Sequence, residues 1–224
     1  MCEERERFMN KLNLKIPFIL VCLLWTHATF AKSTWVLSKH SNGIKVYVRD
    51  TPGSVIKSFK GEVTVNATLT ALVALIDDTK VYPQFFYQCK SAQNIKQVGN
   101  NQSYKYITTG MPWPVKDRDT IVHSVISQNK KTKQVEVKMK AAPTLMPIKS
   151  GRIRIKKMSG RWLLIPMGKS TKVIYEMTVD PAGSLPKWLV NTMSTDMPFN
   201  TLKNLRTLIK NPKYQKAAHT FIVN

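Results

Sequence analysis

Asp180-Pro181-Ala182-Gly183-Ser184-Leu185-Pro186-Lys187-Trp188-Leu189-Val190-Asn191-Thr192-Met193-Ser194-Thr195-Asp196-Met197-Pro198 is the stretch that decides the fold, because the hydrophobic period changes inside it. Before it, Lys172 to Asp180 alternates as an extended strand. After it, Leu185, Trp188, Leu189, Met193 and Met197, then Leu202, Leu205 and Ile209, make one helical apolar stripe. A continuous helix from Leu185 to Ile209 would be about 37 Å long. Pro198 lacks a backbone donor and predicts a kink or a split there, or the first turn of a second helix.

Working outward, Gly43 to Arg49 alternates Ile44, Val46 and Val48 against polar residues, and Thr51-Pro52-Gly53 turns it into a second strand ending near Val65. Leu69, Leu72, Val73 and Ile76 then follow helical spacing, with Asn66 or Thr68 as N-cap. A short second helix is expected over 81–88. Strands are expected near 92–98, 103–109, 119–128, 134–142, 151–157, 161–166 and 172–180. Strands and helices are segregated along the chain, which predicts an α+β fold. A curved antiparallel sheet of about nine strands would wrap around the long C-terminal helix in a helix grip.

At the N-terminus, Lys11 and Lys15 precede the apolar run from Ile16 to Trp25, and Thr29 and Ala31 supply small residues. About ten apolar residues fall short of the roughly 20 that span a bilayer. Residues 1–31 therefore read as a signal peptide cleaved near Ala31, with Met9 a candidate true start. The expected product is exported, periplasmic or secreted: a monomeric domain over 32–210 and a basic tail over 211–224. Only Cys89 then remains, and it reads as a small core residue. The formal net charge of +22 implies attraction to polyanions. Export argues against nucleic acid and leaves anionic membrane surfaces as transient partners.

Three segments carry a resemblance. They are Pro112-Trp113-Pro114-Val115-Lys116-Asp117-Arg118-Asp119; Gly151-Arg152-Ile153-Arg154 with Gly160-Arg161-Trp162-Leu163-Leu164-Ile165-Pro166; and Tyr175 to Asp180 with Gly183 to Asn191. In order and spacing the chain resembles the START lipid-transfer domain family, a fold of the Bet v 1-like type. The resemblance implies a hydrophobic tunnel closed by the terminal helix and a neighbouring loop. It also implies one lipid ligand (sterol, phospholipid or another apolar molecule), binding and transfer rather than catalysis, and no cofactor.

Candidate wall residues are Tyr104, Tyr106, Val122, Ile153, Ile155, Val173 and Tyr175, although the same side chains would equally make a solid core. Arg118 matches a family arginine that can face the cavity and pair with an acid. That acid is expected between Ser103 and Tyr106, where Lys105 stands instead, so Asp117, Asp119, Glu136 and Glu176 become alternative partners. The loop from Ala142 to Ser150 matches the family's gate, with Leu145, Met146 and Ile148 as its apolar residues. Trp188, Leu189, Met193 and Met197 belong to the lid helix. Arg152, Arg154 and Lys156 would share one strand face toward a membrane, or form a merely solvated basic face.

No nucleotide-binding loop, nucleophile elbow or metal-ligand spacing occurs in the sequence. Two competing functions remain. A cyclase- or hydrolase-like grip enzyme needs a titratable group in the cavity, with His123, Asp119 and Glu176 to inspect. A basic domain binding anionic polymers needs no cavity.

Overall fold

The computed structural model describes residues 34–224 except Gly53 and Val55; the expected signal peptide lies outside the described residues. The strands are β1 (Val36–Ser41), β2 (Ile44–Arg49), β3 (Ser58–Val65), β4 (Cys89–Val98), β5 (Gln102–Thr109), β6 (Arg118–Gln128), β7 (Val135–Ala141), β8 (Ile153–Arg154), β9 (Lys157–Met167) and β10 (Ser170–Asp180). The helices are α1 (Leu69–Asp77), α2 (Tyr82–Phe85), α3 (Lys187–Asn191), α4 (Met197–Leu208) and α5 (Pro212–Gln215). The sheet runs β1-β2-β3-β10-β9-β7-β6-β5-β4, antiparallel throughout this path. The α+β helix grip is thus present, with one strand more than the nine expected.

The additional strand is β8. The expected strand over 151–157 reduces to Ile153–Arg154, which pairs parallel with Arg118 and Asp119 at the start of β6. Ile153 N–H and Ile155 N–H donate to Asp117 O and Asp119 O at 2.9 and 2.8 Å. β7 hydrogen-bonds directly to β9, so no ladder position is left between them for a longer strand.

Thr68 caps α1: its hydroxyl accepts from Ala71 N–H at 3.2 Å, satisfying one of the free donors of the first turn. The seven residues Leu69–Val73, Leu75 and Ile76 are buried, and α1 closes one end of the core. The terminal helix neither splits nor breaks at Pro198. Backbone angles stay right-handed from α3 into α4, and a π turn over Thr192–Asp196 joins the two. Met197 N–H reaches back to Thr192 O, and Asn200 Nδ2 donates to Asp196 O at 2.9 Å. The wider turn lets the helix absorb a proline without losing its direction.

α4 lies close on the sheet because β3 carries Gly61. A Cβ at that position would sit 2.6 Å from Leu202 Cδ1. Thr201 Oγ1 accepts from Tyr87 N–H at 3.2 Å and Asn204 Nδ2 donates to Phe85 O at 3.2 Å, tying α4 to the turn after α2. Phe85, Trp162, Leu164, Val173, Leu202 and Leu205 are fully buried between sheet and helix. Residues 211–224, read as a basic tail, carry α5. Tyr214 and Ile222 enter the core, and Asn224 Oδ1 accepts from Thr70 N–H at 3.1 Å.

Candidate functional site

The concave face of each strand is fixed by parity. On β5 it carries Lys105, Ile107 and Thr109; on β6 it carries Thr120, Val122 and Ser124. These face a cavity of about 140 Å³ bounded further by Phe59, Tyr82, Phe86, Ile155, Tyr175 and Val179. Six of the chain's ten methionines line it: Met111, Met139, Met158, Met177, Met193 and Met197. The rest of the sheet's interior is filled, with Trp162 stacked on Tyr175 at 3.9 Å between ring centroids.

The lid is α3 and the π turn. Leu189 and Met193 pack with Met111 and Ile56, and Val115, Val179, Leu185, Val190 and Met197 pack against that second cluster. α3 is therefore seated on the loop 110–117 and Ile56, while the π turn that follows also meets β2 and β3. Lys39 Nζ bonds Asp196 Oδ1 at 2.8 Å, which latches the π turn to the edge strand.

Val122, Ile155 and Tyr175 line the cavity. Val173 is buried on the same face, in the filled part of the core. Tyr104 and Tyr106 point the other way. Tyr104 stacks on His123 at 4.4 Å, and the Tyr106 hydroxyl donates to Asp119 Oδ2 at 2.7 Å. Tyr106 is buried, but beneath the loop 142–154, which folds back over the outer face of β5 and β6: Lys149 Nζ sits 4.5 Å from its ring centroid. Ile153 packs near Gly183, 3.7 Å from the position of a Cβ there, and not in the cavity.

Arg118 is 1% exposed and has no carboxylate partner among the described residues. Its guanidinium donates to the carbonyls of Lys116 at 2.6 Å, Ala182 at 3.1 Å and Pro181 at 3.3 Å. It thereby joins the loop before β6 to the segment leading into α3. Burial pulls this guanidinium below its ordinary value, and the nearby Asp117 offsets part of that shift. The acids considered for it are engaged elsewhere: Asp117 with Lys90 at 2.7 Å, Asp119 with Arg154 at 2.8 Å, and Glu136 and Glu176 with Arg161 at 3.3 and 3.0 Å.

The expected basic face does not form. Arg154 is 3% exposed, and its side chain makes two parallel bonds to Asp119 at 2.8 and 3.1 Å. The remaining donors bind the carbonyls of Pro143, Met146 and Pro147 at 2.8, 3.0 and 3.1 Å. Arg152 Nη1 donates to the Tyr106 hydroxyl at 2.8 Å and to Thr108 Oγ1 at 3.1 Å. Only Lys156 of the three is exposed. A lone buried arginine would carry a large desolvation cost, and the loop's carbonyls and Asp119 together meet it. Burial alone would raise the Asp119 carboxyl, but the bonds from Arg154 and Tyr106 outweigh it and hold it below its ordinary value.

Leu145, Met146 and Ile148 do not line the cavity. Leu145 and Ile148 project into solvent, as do Trp113, which is 93% exposed, and Trp188. The Arg118 bonds, the Ile153–Gly183 contact and the Arg154 clamp gather these three loops at one end of the sheet.

Sequence reading missed the charged group that does face the cavity. Lys105 is 2% exposed, bonds Asp77 Oδ1 on α1 and lies 6.0 Å from the Tyr82 ring centroid. The available signal was a single lysine inside Tyr104-Lys105-Tyr106-Ile107, opposite in parity to both tyrosines. Cys89 also lines the cavity, and burial pushes its thiol up to about 11, the wrong direction for a nucleophile. Among the described residues, no group of three His, Cys, Asp or Glu is placed to hold a metal, and no helix is long and apolar enough to cross a membrane.

The START domain family matches residues 20–214. An uncharacterized protein of Pseudomonas aeruginosa is 36% identical over 174 residues, covering 77% of this chain and 85% of the relative. The crystal structure of a STAR-related lipid transfer protein from Xanthomonas axonopodis superposes with a TM-score of 0.73 at 33% identity, over 79% of this chain and 99% of that one. Human STARD10 shares the fold at 20% identity, with a TM-score of 0.68 over 81% of this chain and 76% of that one. With the family matched across nearly the whole described domain, the chain belongs to the START domain family.

Proposed function

We propose that this protein binds one lipid in the cavity beneath α3 and the π turn, and exchanges it at an anionic membrane after export. The observation that carries the reading is the methionine-rich wall. A cavity of about 140 Å³ is smaller than the roughly 300–1,000 Å³ of ordinary ligand pockets. Six unbranched methionine side chains are the wall best able to give way. Each apolar area that a lipid chain covers contributes about 25 cal/mol per Å². α3 rests on a small satellite cluster, so it is the part of the lid that lifts at least cost.

Membrane contact is read from the cluster of exposed apolar residues at the lid end, Trp113, Trp188, Ile148 and Leu145. Tryptophan suits the headgroup region, and a net charge of +22 draws the domain to anionic lipid. Binding and transfer are favoured over catalysis because His123, Asp119 and Glu176 face away from the cavity, and of the titratable groups that do line it Lys105 is held by Asp77 while burial raises Cys89, Tyr82 and Tyr175, the wrong direction for a nucleophile or base.

The test is native mass spectrometry with lipid extraction of the purified protein, before and after incubation with vesicles. A bound lipid at one per chain, exchanged for vesicle lipid, is the expected result. Protein that stays empty in the presence of vesicles would sink the reading.

A further inference from the structure

We infer that the cavity selects a single-chain amphiphile with an anionic head, a long-chain carboxylate, and that Lys105 is the residue that takes the head. This rests on the lipid-binding reading of the cavity and goes further by naming the ligand class.

Lys105 lies in the middle of β5, opposite Val122, where its side chain enters a cavity otherwise lined almost wholly by apolar groups. Its ammonium has three donors, and among the described residues one is used, on Asp77 Oδ1. A buried cation holding unspent donors stabilises an acceptor placed against it far more than a solvated one would. The second observation is Thr120. It is 8% exposed and lines the cavity, and its Oγ1 has no hydrogen-bond partner among the described residues. Buried hydroxyls are ordinarily paired. Thr120 and Ser124 lie on β6 two residues to either side of the Val122 that opposes Lys105, about 7 Å along the strand in each direction, so Lys105 is flanked by a hydroxyl on both sides. The Tyr82 hydroxyl is already spent on Ile76 O at 2.8 Å.

This stretch of wall offers a cation with a hydroxyl to one side or the other, which fits a compact acceptor-rich head. Its one acid is Asp77. Asp77 ends α1, where the helix dipole disfavours negative charge, and its side chain is 33% exposed. An incoming carboxylate can therefore replace it at Lys105 while Asp77 turns to water. The cavity, about 140 Å³ and walled by methionines that can move apart, must enlarge for any lipid, and a single chain asks the least of it.

The experiment measures binding of cis-parinaric acid and of its methyl ester by fluorescence, below their aggregation concentrations. The proteins are the wild type, Lys105→Met and Asp77→Asn. In the wild type the acid should bind about tenfold or more tighter than the ester, the scale of one charge-assisted bond. Lys105→Met should bring the two within about threefold while keeping the ester. Asp77→Asn should strengthen the acid alone, a gain that a merely structural role for the pair would not produce. Equal affinities in the wild type, or a preference that survives Lys105→Met, would overturn the assignment of Lys105 and leave lipid binding standing. If neither probe binds the wild type, the long-chain carboxylate assignment falls, and lipid binding stands or falls on the vesicle-exchange mass spectrometry alone.

Discussion

Removing the Arg154 guanidinium should be among the most damaging single changes outside the main core. Its side chain and that of Asp119 are 1% and 0% exposed. Arg154→Ala leaves the Asp119 carboxylate buried without its charge partner, a change worth about 3–5 kcal/mol. For a domain of this size each kcal/mol moves the melting temperature by about 2–4 °C, so a fall of about 6–20 °C is expected. The carbonyls of Pro143, Met146 and Pro147 lose their donor at the same time. The double change Arg154→Met with Asp119→Leu separates the two contributions. It restores charge balance, and such replacements are often neutral, but it leaves the three carbonyls without a donor. It should therefore recover part of the loss while the loop stays open to proteolysis near Lys149 and to amide exchange. The measurements are thermal unfolding by circular dichroism and timed proteolysis. A shift below about 2 °C for Arg154→Ala, with unchanged cleavage of the loop, would refute the clamp.

Four other expectations follow from the geometry. Asp119 titrates below its ordinary value of 3.8 in the folded protein, so the unfolded chain takes up the proton first; its stabilisation is present above pH 3.8 and lost as pH falls through the folded value. Melting temperature against pH should be flat near neutrality and drop in acid, less steeply in Asp119→Asn. Gly61→Ala places a Cβ 2.6 Å from Leu202 Cδ1 and should cost about 1–3 kcal/mol in denaturant unfolding, with a smaller cost in a Leu202→Val background. Ile107→Trp should fill the cavity and abolish lipid retention, whereas Tyr104→Ala on the outer face should leave it unchanged; mass spectrometry of retained lipid checks both. Trp113→Ser with Ile148→Ser should weaken sedimentation with anionic vesicles at fixed salt while net charge is unaltered, and an undiminished pellet would count against docking through that end.

Local chemistry was legible wherever one period dominated. The shift from alternation to helical spacing after Asp180 placed the terminal helix. The Thr68 cap was readable because its hydroxyl acts within one turn. The π turn before Pro198 was not, because it depends on what the helix gains by keeping its direction against the sheet. Parity within β5 was legible, but not which parity is concave. Tyr106 at 3% exposed and Lys105 at 2% are both buried, since the loop 142–154 covers one face and the cavity core the other. Alternation therefore gave no contrast between inside and outside. The run Arg152-Ile153-Arg154-Ile155 misled for a related reason. Charge pattern alone reads as a solvated ladder, while Asp119 and three loop carbonyls, distant in sequence, make Arg154 a buried clamp.

By itself the amino-acid order determined the class of fold, the approximate spans of most strands, the grip helix and the strongly basic character, because each is set by composition or by neighbours a few residues apart. The tertiary structure alone decided which side of each strand meets the cavity, how large that cavity is, and that its charge is Lys105 on Asp77 and not Arg118 on an acid. Those features depend on strands and loops brought together across the sheet, where burial and pairing are properties of the assembled interior.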